Sequence, residues 1–371
     1  MPSTEPHPDP RLPVILLTGF LGAGKTTLLN AVLGTSDGSK IAVIVNEFGE
    51  AGLDHDLIET ADEEIILMQS GCLCCSIRGD LSRTLQDLMT RKDSGQLSFD
   101  RVVIETTGLA DPGPILQTFL VDHFLATHFR MDGVVTLADA ATGHDTLDRQ
   151  FEAVSQVAMA DLIVLSKTDL VPKETRYIFE KRLRSLNPTA PMLRAKHGVV
   201  PAGSLWGLTG IHPEVKPNQI AAWLTPPAAP SASNPFENLS GLADKTTASP
   251  SLPVHDARIG SASVVLNDPI SVEAFDMWLD TLIMLRGPDI LRVKGIVHLE
   301  GIKTPFVFHG VQHLFDPPVP LHDWSGENRQ SRIVVIARDM TQPELQRSLD
   351  MLRARQTSEP QARLTSQVLP I

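Results

Sequence analysis

Residues 12–30 read LPVILLTGFLGAGKTTLLN, and this stretch decides the fold of the first part of the chain. An apolar run, which favours a buried strand, ends in a glycine-rich turn, and a helix-like segment follows from Lys25. The turn fits the pattern G-x-x-x-x-G-K-S/T, which cradles phosphate groups between a strand and a helix. The alternative is a glycine turn that binds nothing, and the strand–turn–helix context argues against it.

The residue types of this loop indicate what each would do with a bound nucleotide. Lys25 supplies a positive charge, and the Thr26 hydroxyl can join the coordination shell of Mg²⁺. The start of the helix presents backbone N–H groups and a positive dipole end to the same anion. We expect Lys25 and Thr26 to act in catalysis together with Glu105, which lies in a later motif. The residues that we assign to phosphate binding are Gly19, Gly22, Ala23, Gly24, Lys25, Thr26 and Thr27.

Composition and charge exclude several classes of protein. The chain has 371 residues, which suggests about two domains, and its 42% hydrophobic content is enough for real cores. With 32 basic and 44 acidic residues the formal charge is −12, so we expect no nucleic-acid partner. No stretch approaches about 20 uninterrupted apolar residues, and the first residues lack the features of a signal peptide. We therefore expect a soluble, cytoplasmic protein without a membrane partner.

Strand-like and helix-like segments alternate after the phosphate loop, which predicts an α/β fold with a mainly parallel sheet, as in P-loop NTPases. Beyond a segment rich in Pro, Ser and Ala, runs of short strands with helices at their ends predict a small α+β domain. The predicted divisions are a disordered N-terminus (1–11), a P-loop domain (12–224), a linker (225–257), the α+β domain (258–355) and a tail (356–371).

Ligands of parallel sheets bind at the carboxyl ends of the strands, so the polar residues that follow each predicted strand are candidates for one site. Glu105-Thr106-Thr107-Gly108 follows such a strand and resembles the D-x-x-G element of GTPases, with glutamate in place of aspartate. The Glu105 carboxylate could hold Mg²⁺ through water, and Gly108 lets the backbone approach the γ-phosphate. The alternative role for Glu105 is a helix cap or an ion pair. No glutamine is obviously placed to orient water, which predicts slow hydrolysis.

Ser166-Lys167-Thr168-Asp169 follows another apolar run and could read the base of the nucleotide. The Asp169 carboxylate can accept from guanine N1–H and N2–H₂, a donor pair that adenine does not present. The stem of Lys167 can lie over the purine ring. These features favour GTP over ATP, and the alternative is a solvated strand end.

The chain's three cysteines, Cys72, Cys74 and Cys75, fall within four positions. This spacing suits a thiolate site better than a disulfide framework. Thiolates favour Zn²⁺, with Co²⁺ or Ni²⁺ also feasible, and leave a fourth position for another ligand. Glu47 in NEFGE is a candidate carboxylate for that position, or else a solvated loop acid. The alternatives for the cysteines are inert buried thiols and a redox dithiol.

The second part of the chain gives weaker signals. His298, His309 and His313 lie on strand-like stretches, and each is more simply a core or surface histidine than a metal ligand. Arg292 and Lys294 are interpreted as packing and surface features.

The motifs GFLGAGKTTLLN, NEFGE, GCLCC, ETTGLADP and SKTD occur in this order, and the set resembles the CobW/nitrile-hydratase-activator family of P-loop GTPases. LRVKG, HGVQHLF and SRIVVIAR are similar to the CobW C-terminal domain. The resemblance covers nearly all of residues 12–350 outside the linker. It implies GTP hydrolysis coupled to delivery of zinc or cobalt to a client metalloprotein, with the C-x-C-C motif supplying ligands.

Two departures from the family pattern stand out. Ser166 replaces the asparagine that many GTPases have in N-K-x-D, which weakens one contact to guanine, and the linker lacks the histidine-rich tract of many relatives.

Two further functions stay open. One is a GTP-dependent regulator or assembly scaffold without significant turnover, and the other is a P-loop kinase. Neither the client nor the oligomeric state follows from the sequence.

Overall fold

The computed structural model describes residues 9–34, 40–45, 77–201, 203–208, 256–315, 318–321 and 330–353. The described residues form one parallel and one antiparallel sheet. None of the helices among them is long and apolar enough to cross a membrane.

The parallel sheet has the strand order β2-β3-β1-β4-β5-β6. Its strands are β1 (Leu12–Gly19), β2 (Ile41–Val45), β3 (Arg101–Glu105), β4 (Phe129–Asp139), β5 (Leu162–Ser166) and β6 (Met192–Arg194). Every neighbouring pair is parallel, which confirms the predicted P-loop fold class. The side chains of β1 are buried on both faces from Val14 onward, as expected for a central strand covered by helices.

Seven helices accompany this sheet in the described part of the chain. They are α1 (Lys25–Leu33), α2 (Ile77–Asp93), α3 (Gly113–Val121), α4 (His123–His128), α5 (Gly143–Arg149), α6 (Phe151–Met159) and α7 (Lys173–Leu186). Helices α2 and α3 cover one face of the sheet, and α1 covers the other. Successive side chains of β1 therefore pack against different helices.

The sequence GPILQTFLVDHF favours one continuous helix, but in the structure it forms the two helices α3 and α4. Asp122 separates α3 from α4, with an extended backbone at φ −77° and ψ 116°. Its side chain accepts from the Leu125 backbone N–H at 3.1 Å and so caps α4. Aspartate competes for backbone N–H groups in this way at helix starts, which explains the break.

The antiparallel sheet has the order β10-β9-β8-β12-β7, with β11 paired to β9. Its elements are β7 (Ile259–Leu266), α8 (Val272–Arg286), β8 (Ile290–Val297), β9 (Phe306–Val311), β10 (Leu314–Phe315), β11 (Val319–Pro320), β12 (Ser331–Arg338) and α9 (Gln342–Asp350). Both helices pack on one face of the sheet, around the fully buried Trp278. This is the predicted α+β arrangement, whereas the predicted boundary between residues 224 and 225 lies outside the described residues.

The other face of the antiparallel sheet packs against α6. Ala158 and Met159 at the end of this helix are completely buried in a cluster with residues of β8, β9 and β12. Residues 153–159 are all buried, because α6 lies between the two sheets.

The interface between the two domains also contains buried charges. Asp161, next to the end of α6, lies 2.5 Å from both the Arg292 guanidinium and the Lys294 ammonium of β8. Residues two apart on a strand face the same side, so the two cations reach one carboxylate. Of the interpretation of Arg292 and Lys294 as packing and surface features, the surface part is therefore wrong, since the outer face of β8 is covered by the first domain.

Candidate functional site

The phosphate loop connects β1 to α1 as the sequence predicts. Gly19, the last residue of β1, has φ +139°, and a Cβ there would lie 2.6 Å from the carbonyl oxygen of Leu137 on β4. Glycine is required at this position because both the backbone angle and the close approach exclude a side chain. The loop residues assigned to phosphate binding thus lie directly between the central strand and the start of α1.

Lys25 is the first residue of α1 and is mostly buried. Its Nζ donates to the carbonyl oxygens of Gly19 at 2.9 Å and Phe20 at 3.3 Å. These bonds hold the ammonium group against the beginning of the loop. The preceding residue, Gly24, has no side chain that could cap the helix, so the first-turn N–H groups can face an anion.

Thr26 and Glu105 are brought together by neighbouring strands. The Thr26 hydroxyl donates to Glu105 Oε1 at 3.2 Å, and Glu105 is the buried last residue of β3, which pairs directly with β1. Two oxygen-bearing side chains predicted from motifs 79 positions apart therefore meet at one sheet edge. A hydroxyl and a carboxylate are suitable ligands for a hard cation such as Mg²⁺.

The segment after Glu105 is fixed against the phosphate loop. The Thr106 hydroxyl donates to Thr18 Oγ1 at 2.9 Å. A Cβ on Gly108 would lie 2.4 Å from the Leu21 backbone nitrogen, so only glycine allows the two loops to approach this closely. A displacement of either loop would be transmitted to the other.

Gln156 of α6 is part of this arrangement, and the sequence analysis did not identify it. Its Nε2 donates to the carbonyl oxygens of Gly108 at 3.1 Å and Ala110 at 3.0 Å, and the side chain is almost fully buried. The sequence does contain an indication of this role. Gln156 interrupts the apolar run FEAVSQVAM, and a polar side chain that is buried in such a run must find hydrogen-bond partners.

The residues assigned to base recognition follow β5. Ser166 donates to the Ala23 carbonyl at 2.7 Å, so this serine ties the end of β5 to the phosphate loop. Lys167 has φ +51°, and its Nζ lies 2.8 Å from Asp139 Oδ2 on β4. Asp169 is exposed at the surface, where its carboxylate is accessible to a ligand.

Asp139 is a second residue that the sequence analysis missed. Burial alone would raise the pKa of Asp139, but hydrogen bonds from Lys167, the Ala141 backbone N–H and Thr142 hold that pKa below its usual value. The carboxylate is therefore ionised at neutral pH and fixes the Lys167 side chain. Its position at the carboxyl end of an apolar strand is the sequence feature that indicates a role in the site.

A tight turn after β6 also reaches the site. His197 and Gly198 both have positive φ, at +50° and +79°, and the flanking residues Lys196 and Val199 pair with each other. A Cβ on Gly198 would lie 2.7 Å from the Thr27 carbonyl oxygen of α1. The turn therefore contacts the first turn of α1 and extends the candidate nucleotide site.

The predicted metal ligands Cys72, Cys74, Cys75 and Glu47 lie outside the described residues, so their grouping stays a prediction. Within the described residues, no group of three or more His, Cys, Asp or Glu side chains is arranged to hold a metal. His298 and His309 are buried and His313 is exposed, in agreement with their interpretation as core or surface residues.

Comparison with known proteins relates this geometry to a family. The profile of the CobW/HypB/UreG nucleotide-binding domain matches residues 13–194, and that of the cobalamin synthesis protein CobW C-terminal domain matches residues 259–353. The zinc chaperone YjiA of Escherichia coli is 34% identical over 340 residues, which cover 92% of this chain and 98% of YjiA. The chain belongs to the CobW family.

Other proteins are also similar to this chain over half of its length or more. The zinc chaperone CobW of Pseudomonas aeruginosa is 28% identical, with 91% of each chain covered. The zinc-regulated GTPase metalloprotein activator 1 of Schizosaccharomyces pombe is 36% identical over 51% of this chain and 47% of its own length. The crystal structure of Zn(II)-bound YjiA GTPase from E. coli superposes with a TM-score of 0.67 at 30% identity, covering 93% of this chain and 99% of that one.

Proposed function

We propose that this CobW-family protein is a GTP-hydrolysing metallochaperone that delivers a transition metal, most simply zinc, to a client metalloprotein. The observation that carries the proposal is the contact between Thr26 and Glu105 beside the phosphate loop, at 3.2 Å. It joins the loop to the strand end where GTPases hold their metal and γ-phosphate. The relatives named zinc chaperones and zinc-regulated GTPases support the same function.

The nucleotide occupies the loop between β1 and α1 in this proposal. Backbone N–H groups of residues 19–27 and the Lys25 ammonium bind the phosphates, and the N-terminus of α1 adds its positive dipole end. Asp169 reads the guanine edge, while Asp139 holds Lys167 in place at 2.8 Å. Ser166 contacts the loop rather than the base, so we assign it a structural role.

The residues present fit a Mg²⁺ ion, because Thr26 and Glu105 place a hydroxyl and a carboxylate side by side. Thr26 would hold the ion directly and Glu105 through water. When bound, Mg²⁺ neutralises charge on the transferring phosphoryl group. Gly108 keeps the adjacent backbone close to the loop, and Gln156 fixes the carbonyl groups on its far side.

The cargo metal is assigned to Cys72, Cys74 and Cys75, with Glu47 as a candidate fourth ligand. Three thiolates favour Zn²⁺ and also accept Co²⁺. A site with an exchangeable fourth position suits transfer to a client better than permanent storage. The cytoplasmic location stays a prediction.

The central experiment measures GTP hydrolysis and metal content on the same purified protein. We expect wild type to hydrolyse GTP slowly and to bind about one Zn²⁺ through the cysteines. Lys25→Ala should abolish hydrolysis without removing the metal. The variant Cys72→Ser/Cys74→Ser/Cys75→Ser should lose the metal and keep GTP binding. Retention of the same bound metal by the triple variant would refute the assignment of the cysteines.

Two other functions give different results in the same experiment. A regulator or scaffold would bind GTP and show negligible hydrolysis even with metal and partner present. A P-loop kinase would prefer ATP and transfer the phosphoryl group to a small acceptor. The position of Asp169 after β5 favours guanine and hence argues against the kinase.

A further inference from the structure

A cavity of about 520 Å³ lies between the two domains, away from the phosphate loop. Its walls come from α3, α4 and β4 on one side, and from β8, β9 and residues 314, 315 and 318–320 on the other. Cavities of about 300–1,000 Å³ at domain interfaces are typical of small-molecule binding sites. None of the described residues assigned to GTP lines this cavity.

Most of the cavity wall is apolar. Phe119 of α3, Phe129 of β4 and Phe315 of β10 contribute aromatic rings, and Leu120 and Val319 line the cavity from opposite domains. Such a lining favours a ligand with an apolar or aromatic body, because burying that body removes apolar surface from water.

The polar part of the wall is mainly cationic. Arg11, Arg130 and Arg292 all line the cavity, and the acid that lines it with them is Asp9, which pairs with Arg11 at 2.8 Å. The other two guanidinium groups pair with carboxylates behind the wall, Arg130 with Asp132 and Arg292 with Asp161.

Arg292 gives the most direct indication of a ligand. Its residue surface is only 3% exposed, and its Nη2 is bonded to Asp161. Its Nε, however, is buried and has no hydrogen-bond partner among the residues that the structure describes. Buried polar groups almost always have a partner, and a guanidinium group can only donate. Any ligand group that meets this Nε must therefore be an acceptor.

We propose that this cavity binds a small organic anion. Its acidic headgroup accepts from Arg292, and its apolar or aromatic body lies between the phenylalanine rings of the two domains. The proposal goes beyond the metallochaperone function and does not depend on it. Since α3 leads from the Glu105–Gly108 element and its Gln117 contacts Gln312, a ligand here would bridge the nucleotide domain and the C-terminal domain.

Anilinonaphthalene sulfonate is a suitable probe, because it combines an anionic headgroup with aromatic rings and becomes fluorescent in apolar surroundings. We expect saturable binding of the probe to the full-length folded protein. Decanoate should displace it, whereas decanol, which has the same chain length and no charge, should be about tenfold weaker because the headgroup contact to a buried arginine is lost. Equal displacement by decanol would overturn the anion assignment.

Two variants test the location from opposite walls. Leu120→Trp and Val319→Trp each fill the cavity, so each should weaken probe binding by about tenfold or more. Leu285→Trp on the exposed face of α8 is the matched control and should bind the probe like wild type. Arg292→Gln should weaken decanoate binding and leave decanol binding unchanged. Wild-type affinity for the probe in both filling variants would overturn the proposal, with the unfolding midpoint of each variant showing that it is folded.

Discussion

Single side chains connect the phosphate loop to the strand beside it. Thr26 lies on α1 and Glu105 on β3, and their 3.2 Å contact exists because β1 and β3 are parallel neighbours. A parallel pair brings the carboxyl ends of both strands to the same edge, so residues distant in sequence can contribute to one site. The chemistry of the site therefore depends on the exact side-chain type at both positions.

We expect Glu105→Gln to reduce GTP hydrolysis by about tenfold to a hundredfold, which is the usual cost of losing an outer-shell partner of a bound metal ion. Glutamine keeps the size of the side chain, so nucleotide binding in the absence of Mg²⁺ should change little. The measurement is phosphate release under saturating GTP, and the control is Glu273→Gln on the exposed start of α8. Hydrolysis by Glu105→Gln at the wild-type rate would remove Glu105 from the catalytic residues.

Gly108→Ala tests how closely the two loops approach. The added Cβ would meet the Leu21 nitrogen at 2.4 Å, so the phosphate loop must move, and overpacking of this kind costs about 1–3 kcal/mol. We expect weaker nucleotide binding, measured by calorimetry, and a lower unfolding temperature. Gly34→Ala is the control, since its Cβ would meet no atom closer than 3.4 Å. Unchanged nucleotide affinity in Gly108→Ala would show that the loop position does not matter.

Helix α6 is one of the elements that connect the nucleotide site to the second domain. Gln156 donates to the two carbonyl groups after β3, and Met159, one turn later, is buried against the antiparallel sheet. A helix that is packed on both sides moves as a rigid unit. A shift of the Gly108 loop between GTP and GDP states would therefore reach β8.

Gln156→Leu should interrupt this connection, because leucine has a similar volume and cannot donate to Gly108 and Ala110. We expect amide hydrogen exchange in β8 and β9 to differ between GTP-analogue and GDP states in wild type and to lose that difference in the variant. Gln342→Leu, exposed at the start of α9, is the matched control. A nucleotide-dependent difference that persists in Gln156→Leu would show that coupling does not pass through this side chain.

The sequence predicted the helices and strands better than it predicted the side-chain contacts between them. The residues from Leu12 to Asn30 specified β1, the loop and α1, because strand, turn and capping signals there are local. The break at Asp122 was missed, since an aspartate inside an apolar run reads equally well as a solvated helix residue. Gln156, Asp139 and the turn at Gly198 were missed because their partners lie on other elements.

At the scale of the whole molecule, the ion cluster of Asp161, Arg292 and Lys294 holds the domains together. Burial alone would raise the pKa of Asp161, but Arg292 and Lys294 lower it to about 2. Burial and the nearby Arg292 lower the pKa of Lys294, and Asp161 only partly offsets them. The sequence did not predict the burial of this ion cluster, because no local pattern shows what covers a strand's outer face.

Asp161→Asn should destabilise the protein by about 3–5 kcal/mol, the usual cost of removing one partner from a buried ion pair. Urea unfolding measures this cost, and Asp339→Asn, in the exposed pair with Arg258, should cost only about 0–1 kcal/mol.

The free energy of unfolding of wild type, compared with that of Asp161→Asn, should depend on pH in a defined direction. The folded pKa of Asp161 is depressed to about 2 from its usual 3.8, so its contribution is complete above pH 3.8 and is lost as the pH falls toward 2. The stability difference between wild type and Asp161→Asn should therefore shrink over that range. A difference that is constant down to pH 2 would contradict the depressed pKa.

Because α6 lies between the two sheets, a truncated protein that lacks the second domain would expose part of this helix. Ala158 and Met159 are completely covered by Leu291, Ile296 and Ile336 of the second domain. A truncated product that ended after the nucleotide-binding half would present this apolar strip to solvent and tend to self-associate. Grafting either half onto an unrelated partner would therefore require redesign of the strip.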